Sequence, residues 1–140
     1  FPVSSIKPER IAELFRKMRG NLTEPEFHGL QRIMYNILHR GWGFASGVMN
    51  REQEVLAAEF FIFSHGRIMS LAPVETAAGS KVFAKAYLYD LMIRQQANKP
   101  QSLDFNTSTQ EAEFARHFGA LNYEYYRVQR ERAKGWRGWF

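Results

Sequence analysis

The spacing of the apolar residues changes twice along this chain. Residues 8–39 carry apolar side chains at helical intervals, the middle of the chain holds Phe-, Val- and Ile-rich runs typical of strands, and helical spacing returns from about Ser80 to Ala97. The first helical stripe consists of Ile11, Leu14, Phe15 and Met18. Because helical and strand periods alternate in one short chain, the sequence predicts an α/β fold with a mixed sheet.

The predicted order of the elements is α-α-β-β-β-α-β-α-β. Thr23 and Glu26 have the spacing of a capping box, which predicts the start of the second helix. Residues 51–53 and His65-Gly66 read as turns that join three strands into an antiparallel meander. The predicted strands are 44–50, 55–64, 67–75, 102–105 and 121–129, and the later helices are 80–97 and 110–118.

The predicted helix 80–97 connects two parallel strands at the edge of the sheet. Ligands of such sheets usually bind at the carboxyl ends of the parallel strands. In this chain those ends are Val74-Glu75-Thr76 and Asn106-Thr107-Ser108. The helix points its N-terminus at the same edge, and free N–H groups there attract an anion. We therefore expect the ligand site at this edge.

Composition narrows the classes of function. The chain has 140 residues, which suits a single domain, and we place it at residues 1–130 with a basic aromatic tail at 131–140. A net charge of +5 suits an anionic partner such as a CoA phosphate or RNA without identifying one. The chain has no Cys, which excludes a thiolate nucleophile and a Cys-ligated zinc. Its four His match no metal motif, so no metal site is predicted.

The N-terminal residues and the apolar stretches bear on the localisation of the protein. There is no signal-peptide pattern and no apolar stretch long enough to span a bilayer, so we expect a cytoplasmic protein. The chain starts with Phe1 rather than Met, and we expect it to be a fragment of a longer protein.

Two segments near the C-terminus resemble a signature of the Fem-type peptidoglycan aminoacyltransferases and related GNAT-like proteins. The first, Ser102–Ser108, matches a strand reading roughly Leu-Asp-Phe-x-Gly/Thr-Ser. The second, Phe114–Ala120, matches a helix ending Phe-x-x-x-Phe-Gly-Gly/Ala, and a Tyr-rich strand follows with Tyr123, Tyr125 and Tyr126. The element order resembles the GNAT acyltransferase fold over nearly the whole chain. The resemblance implies a bacterial enzyme that transfers an acyl or aminoacyl group to an amine.

The chain departs from the GNAT pattern in three places. Residues 77–81 hold one glycine where acetyltransferases usually have Arg/Gln-x-x-Gly-x-Gly/Ala, and Ala115 stands where many have a general-acid Tyr. Phe1-Pro2-Val3 is too short for the first GNAT strand, so we expect that strand to come from missing upstream sequence. By resemblance to Fem-type proteins, an upstream GNAT-like domain is a further expected partner.

The donor site is predicted on the residues at the sheet edge. The resemblance implies acetyl-CoA or another acyl-CoA as the donor, with aminoacyl-tRNA as the alternative. We place the donor phosphate at Ala78, Gly79, Ser80 and Lys81. Asn106 would hydrogen-bond the donor, Glu75 would act as general base, and Tyr123 would donate a proton. The structural alternatives are a strand-to-helix turn at 77–81 and a helix cap at Asn106. For Glu75 the alternative is a solvated or paired surface carboxylate, and for Tyr123 it is packing on the strand.

The acceptor is predicted to be a small-molecule or peptide amine, bound by Glu59, Asp104 and Ser108. Each of these residues has a structural alternative. Glu59 suits a solvated or paired surface carboxylate, Asp104 a cap or an Arg partner, and Ser108 a helix cap. The alternative function is a GNAT-shaped module without catalysis that serves binding or structure. RNA binding is a third function, supported by the basic charge and the tail.

Overall fold

The structure is a computed structural model that describes residues 3–106 and 112–121. The chain divides into two compact units, Phe1–Asn106 and Thr107–Phe140. The strands of the first unit are β1 (Val3–Ser5), β2 (Gly43–Met49), β3 (Val55–Ser64), β4 (Arg67–Ser70), β5 (Val74–Glu75) and β6 (Ser102–Asp104). Its helices are α1 (Pro8–Arg19), α2 (Glu24–His39), α3 (Ala77–Lys81) and α4 (Ala84–Gln95). In the second unit the structure describes α5 (Ala112–Arg116).

The strands form one mixed sheet in the order β1-β2-β3-β4-β6, and β5 pairs with β3. Strand β6 runs parallel to β4, whereas the other pairs are antiparallel. One core cluster joins α1 and α2 to the sheet and includes Ile11, Met34 and Phe60. A second cluster packs Ala84 and Leu88 of α4 against the sheet. The predicted α/β class with a mixed sheet is confirmed.

Strand β1 corrects the prediction that the first strand is missing. Val3–Ser5 pairs antiparallel with β2, with Val3 opposite Val48 and Ser5 opposite Ser46. The sequence gives little signal for this strand, because it is three residues long and exposed along its whole length. Main-chain pairing at the edge of β2 defines it, and no alternation of apolar side chains reveals such pairing.

Helices α1 and α2 follow the predicted pattern closely. Ile11 is fully buried, but Met18 at the end of the same stripe is 53% exposed, because α1 ends at Arg19 and extends past the core. The capping box is present at the start of α2. The Thr23 hydroxyl accepts from the Glu26 N–H, and the Glu26 carboxylate accepts from the Thr23 N–H. None of the helices in the described part of the chain has the length and apolar character needed to cross a membrane.

Replacing Thr23 with alanine is expected to lower the free energy of unfolding by about 1 kcal/mol, because one N–H of the first turn loses its acceptor. Chemical denaturation measures this loss. Thr23→Ser keeps the hydroxyl and should retain most of the stability. Equal stability of the alanine variant and the wild type would show that the capping box contributes nothing.

The turn between β3 and β4 is the predicted hairpin at His65-Gly66. Both residues have positive φ, 49° and 73°, which suits the two central positions of a tight hairpin turn. Ser64 and Arg67 pair directly on either side of it.

The predicted strand 67–75 is interrupted in the structure. Phe61 pairs with Ser70 and Ala58 pairs with Val74, so two residues of β3 lie opposite the three residues 71–73. This extra residue makes a β-bulge, and we call 71–73 the bulge. Pro73 has no N–H to donate to the ladder, so an interruption at this point has a physical cause in the sequence.

The predicted helix 80–97 is also divided. Helix α3 ends at Lys81, and α4 begins at Ala84 after Phe83, whose φ is +55°. The N–H groups of Val82 and Phe83 still donate to Gly79 and Ser80 carbonyls at 3.1 and 3.3 Å. Apolar side chains continue at helical spacing through this joint, so the sequence pattern does not reveal the break.

Candidate functional site

The candidate site lies at the carboxyl ends of the parallel strands β4 and β6. Their pairing runs from Arg67 opposite Ser102 to Met69 opposite Asp104. Beyond it, the Asn106 side chain bridges the two strands, because its Nδ2 donates to the Ser70 carbonyl oxygen at 3.2 Å. The edge therefore lies at Ser70 and Asn106, before the bulge, whereas the strand was predicted to end after it, at Val74-Glu75-Thr76.

Asp104 and Asn106 make local contacts at this edge. The Asp104 Oδ1 accepts from the Asn106 N–H at 2.8 Å, and Asn106 has a left-handed φ of 51°. The other Asp104 oxygen lies 3.7 Å from Arg67 Nη1. These contacts match the capping and Arg-pairing alternative for Asp104, and its contact with a substrate amine stays a prediction.

Glu59 lies opposite the bulge and is fully buried. Its Oε1 accepts from the N–H groups of Leu71 and Ala72 at 3.0 and 3.1 Å. Its Oε2 lies 3.0 Å from the Tyr89 hydroxyl, which lies 3.0 Å from Ser70 Oγ. The expectation of a solvated surface carboxylate is wrong, because the strand places this side chain against α4. We call Glu59, Tyr89 and Ser70 the buried network.

The buried network holds two titratable groups with raised pKa values. Burial raises the pKa of the Glu59 carboxyl from 4.5 to about 7, and the hydrogen bonds it accepts oppose that rise. Burial and the nearby Glu59 carboxylate also raise the pKa of Tyr89 above its usual value. Tyr89 has one hydroxyl proton for two neighbours, so it donates to one and accepts from the other. With a pKa of about 7, the Glu59 carboxyl is therefore partly ionised near neutral pH, whereas the Tyr89 hydroxyl stays protonated.

The loop before α3 is built around Thr76. Its hydroxyl accepts from the Gly79 N–H at 3.1 Å and lies 3.2 Å from the Leu56 carbonyl oxygen, while its own N–H donates to that oxygen at 3.0 Å. Gly79 faces the sheet, because a Cβ there would lie 2.6 Å from the Leu56 carbonyl carbon. Its N–H thus serves the helix cap, and the glycine permits close packing of α3 on β3.

The other three residues predicted at the donor phosphate are exposed. Ala78, Ser80 and Lys81 all lie on the solvent side of α3. The Ser80 N–H donates within the helix to the Thr76 carbonyl at 2.8 Å. The ammonium of Lys81 and the hydroxyl of Ser80 are accordingly the side-chain groups of this segment that could meet an anion.

Glu75 lies at the end of β5 and is half-buried. Its Oε2 accepts from the Lys85 N–H at 2.9 Å, in the first turn of α4. A carboxylate at this position stabilises the helix through its dipole and satisfies an N–H of the first turn. The structure thus gives Glu75 a capping contact, and its role as general base stays a prediction.

Some predicted site residues lie outside the described part of the chain, and some residues of the site were not predicted. Ser108 and Tyr123 lie outside the described residues, as does the tail at 131–140. Tyr89 and Ser70 were not predicted, although Glu59 within the apolar run of β3 was a usable signal, because a buried carboxylate requires hydrogen-bond partners. Across residues 3–106 and 112–121, no group of three His, Asp or Glu side chains could hold a metal ion.

Comparisons with known proteins support the fold. No protein-family model matches the sequence, and no curated protein sequence matches it. A solved structure of a probable acetyltransferase superimposes with a TM-score of 0.72 at 12% identity, over 95% of this chain and 100% of that one. Glucosamine-6-phosphate N-acetyltransferase from Arabidopsis thaliana gives a TM-score of 0.63 at 11% identity, over 95% and 97% of the two chains. An acetyltransferase from Trypanosoma brucei gives a TM-score of 0.63 at 11% identity, over 94% of this chain and 99% of that one. The chain has the GNAT fold, which these acetyltransferases share.

Proposed function

We propose that this protein transfers an acyl group from an acyl-CoA thioester to an amine. The observation that supports this function best is the end of the β4–β6 pairing at Ser70 and Asn106, at the carboxyl ends of parallel strands, in a fold shared with acetyltransferases. The donor would lie across this edge, and the acceptor amine, of a small molecule or peptide, would approach its carbonyl.

In the proposed reaction the amine nitrogen attacks the thioester carbonyl carbon. The C–N bond forms, the C–S bond breaks, and the thiolate leaves with the electrons of that bond. Glu75 would take the amine proton through a water molecule, and Tyr123 would protonate the leaving thiolate. Asn106 would turn its amide from Ser70 toward the donor. Ser80 and Lys81 would bind the donor phosphates, with Ala78 and Gly79 shaping that surface.

The oxyanion that forms in this reaction needs a hydrogen-bond donor other than the N–H groups of the bulge. The N–H groups of Leu71 and Ala72 are already bound by the Glu59 carboxylate. The Asn106 amide lies at the edge of the sheet and is a side-chain donor of suitable chemistry. Asp104 would then be left to hold Asn106 through its N–H.

A thermal-shift titration with CoA, acetyl-CoA and longer acyl-CoAs tests this function. A ligand that binds the native state at a hundredfold excess over its Kd stabilises it by about 2.7 kcal/mol. Lys81→Glu should raise the Kd of the acyl-CoA about tenfold, since a charged hydrogen bond to phosphate is replaced by repulsion. Lys17→Glu on α1 makes the same change of charge on an exposed residue away from the edge and should leave the Kd unchanged.

The results that contradict this proposal are specific. No saturable shift with any acyl-CoA would exclude these donors. An equal rise in the Kd for both lysine variants would show that Lys81 acts by general charge attraction rather than by contact with the phosphate. A shift with aminoacyl-tRNA alone would favour the Fem-type donor, which is supported by the Ser102–Ser108 and Phe114–Ala120 signature, and would make a test with an upstream GNAT-like domain the next step.

A module without catalysis is the second candidate function. It is favoured because three backbone N–H groups of this region already have acceptors within the protein, two in Glu59 at the bulge and one in Thr76 at Gly79. Single-turnover assays with acetyl-CoA and a mixture of primary amines distinguish the two. Saturable binding without CoA release or amide formation would support the module.

A further inference from the structure

The carboxylate of Glu59 lies at the bulge, where strand β4 ends. Two residues of β3, Glu59 and Phe60, lie opposite the three residues of the bulge, and the Glu59 Oε1 binds two consecutive N–H groups there. Leu71 also donates to the Phe60 carbonyl at 2.9 Å, so the Ala72 N–H depends more strongly on Glu59. A buried N–H without an acceptor is costly, so the carboxylate stabilises the bulge itself.

The bulge determines where the sheet opens. Before it, β4 pairs with β6 as far as Met69 and Asp104. After it, β5 pairs with β3, and the edge toward β6 is bridged by Asn106 at Ser70. The position of Ser70 relative to Asn106 therefore depends on the path of the bulge, and Glu59 fixes that path.

The buried network connects the same point to α4 and to the strand edge. Tyr89 links Glu59 to Ser70, and the Tyr89 ring stacks on Phe105 of the β6 end, with centroids 5.2 Å apart and planes 10° apart. No ion pair joins Glu59 to a cation within residues 3–106 and 112–121. Its described polar partners are thus the bulge N–H groups and the hydroxyls of Tyr89 and Ser70, all of which lie beside the candidate donor edge.

We propose that Glu59 is a positioning residue for the acyl donor, which holds the bulge so that the β4–β6 edge at Ser70 and Asn106 has the shape that binds an acyl-CoA. This inference rests on the proposed function for the identity of the ligand. It goes beyond it because Glu59 is fully buried and acts through the bulge, without touching donor or acceptor.

Three substitutions at Glu59 separate its hydrogen bonds from its charge. Glu59→Gln keeps an oxygen for the two bulge N–H groups, and its amide donates to Tyr89, which then donates to Ser70. Glu59→Leu fills the space but removes the acceptor. Glu59→Asp keeps the charge on a side chain one methylene shorter. Val48→Ala serves as the control that destabilises the fold without touching the bulge, because Val48 is fully buried in the other core cluster, with Leu56, Ala57, Ala84 and Leu88.

The experiment measures two quantities for each variant of the chain. Amide hydrogen exchange at Leu71 and Ala72 reports the bulge directly and needs no ligand. The Kd of acetyl-CoA reports the edge. We expect Glu59→Leu to speed exchange at Ala72 at least tenfold beyond the change in Val48→Ala and to raise the Kd at least fivefold. Glu59→Gln should raise neither the exchange rate nor the Kd by more than twofold. If the leucine variant does not fold, Glu59→Asp should show the same changes to a smaller extent.

The results that would overturn this inference differ from those that would overturn the proposed function. An unchanged Kd in the leucine or aspartate variant, or an equal rise in Val48→Ala, shows that Glu59 contributes only to general stability. An equal rise in Glu59→Gln shows that the charge, rather than the bulge, sets affinity. No saturable binding by the wild type overturns the proposed function and the donor role of Glu59 with it, whereas the exchange data still show whether Glu59 holds the bulge.

Discussion

Replacing Gly79 with alanine is expected to remove most of the stability of the first unit. A Cβ at this position would lie 2.6 Å from the Leu56 carbonyl carbon and closer still to its oxygen, and these are backbone atoms of the central strand β3. Because a strand held on both sides by β2, β4 and β5 cannot move away freely, α3 must shift instead. That shift would break the Thr76 cap, and we expect a loss of about 3 kcal/mol or more in the free energy of unfolding.

Gly29 provides a matched control within the same chain. It lies in α2, and a Cβ there would have no atom within 4 Å. Gly29→Ala is therefore expected to stabilise the protein by roughly 0.5–1 kcal/mol, since alanine is the better helix former. Urea denaturation of both variants measures the contrast. A stable Gly79→Ala protein, with unfolding like that of the wild type, would contradict the close packing of α3 on β3.

The same glycine shows what sequence reasoning could and could not predict. From the sequence, this single glycine between a strand and a helix is predicted to lie at a phosphate-binding helix start, with a simple strand-to-helix turn as the alternative. The structure uses that position for contact with Leu56, and a contact between residues 23 positions apart in the chain leaves no local signal. The helices α1 and α2, the hairpin at His65-Gly66 and strand β6 were predictable because their signals are local.

The breaks in regular structure were harder to predict. The bulge and the joint at Phe83 interrupt elements whose apolar spacing continues across them, so the pattern indicates one strand and one helix where the structure has two of each. Strand β1 is defined by pairing with β2 alone. The expected surface carboxylate at Glu59 is buried in the structure, where its partner Tyr89 lies 30 positions away in the sequence, and only the tertiary fold brings the two together.

The pH dependence of stability is the second large effect expected. The pKa of Glu59 is about 7 in the folded protein, mainly because of burial, against 4.5 when the group is unperturbed. A group whose pKa is raised by folding contributes stability that is fully present below its unfolded pKa and is lost as the pH rises through the folded value. Between pH 4.5 and pH 8 the wild type should therefore lose about 3 kcal/mol through this residue.

Glu59→Gln isolates that contribution, because glutamine has nearly the same shape and no charge to titrate. Other carboxylates act in the opposite direction, since an Arg16 hydrogen bond lowers the pKa of Glu24 and a Tyr35 hydrogen bond lowers that of Glu9, but both are present in the two proteins. The difference in unfolding free energy, glutamine variant minus wild type, should rise with pH from 4.5 and level off above about pH 8. Urea denaturation at half-unit pH steps measures it. A difference that stays constant over this range would show that Glu59 does not titrate there, and a difference that falls with pH would show that the folded protein holds it ionised, with the bulge N–H groups outweighing burial.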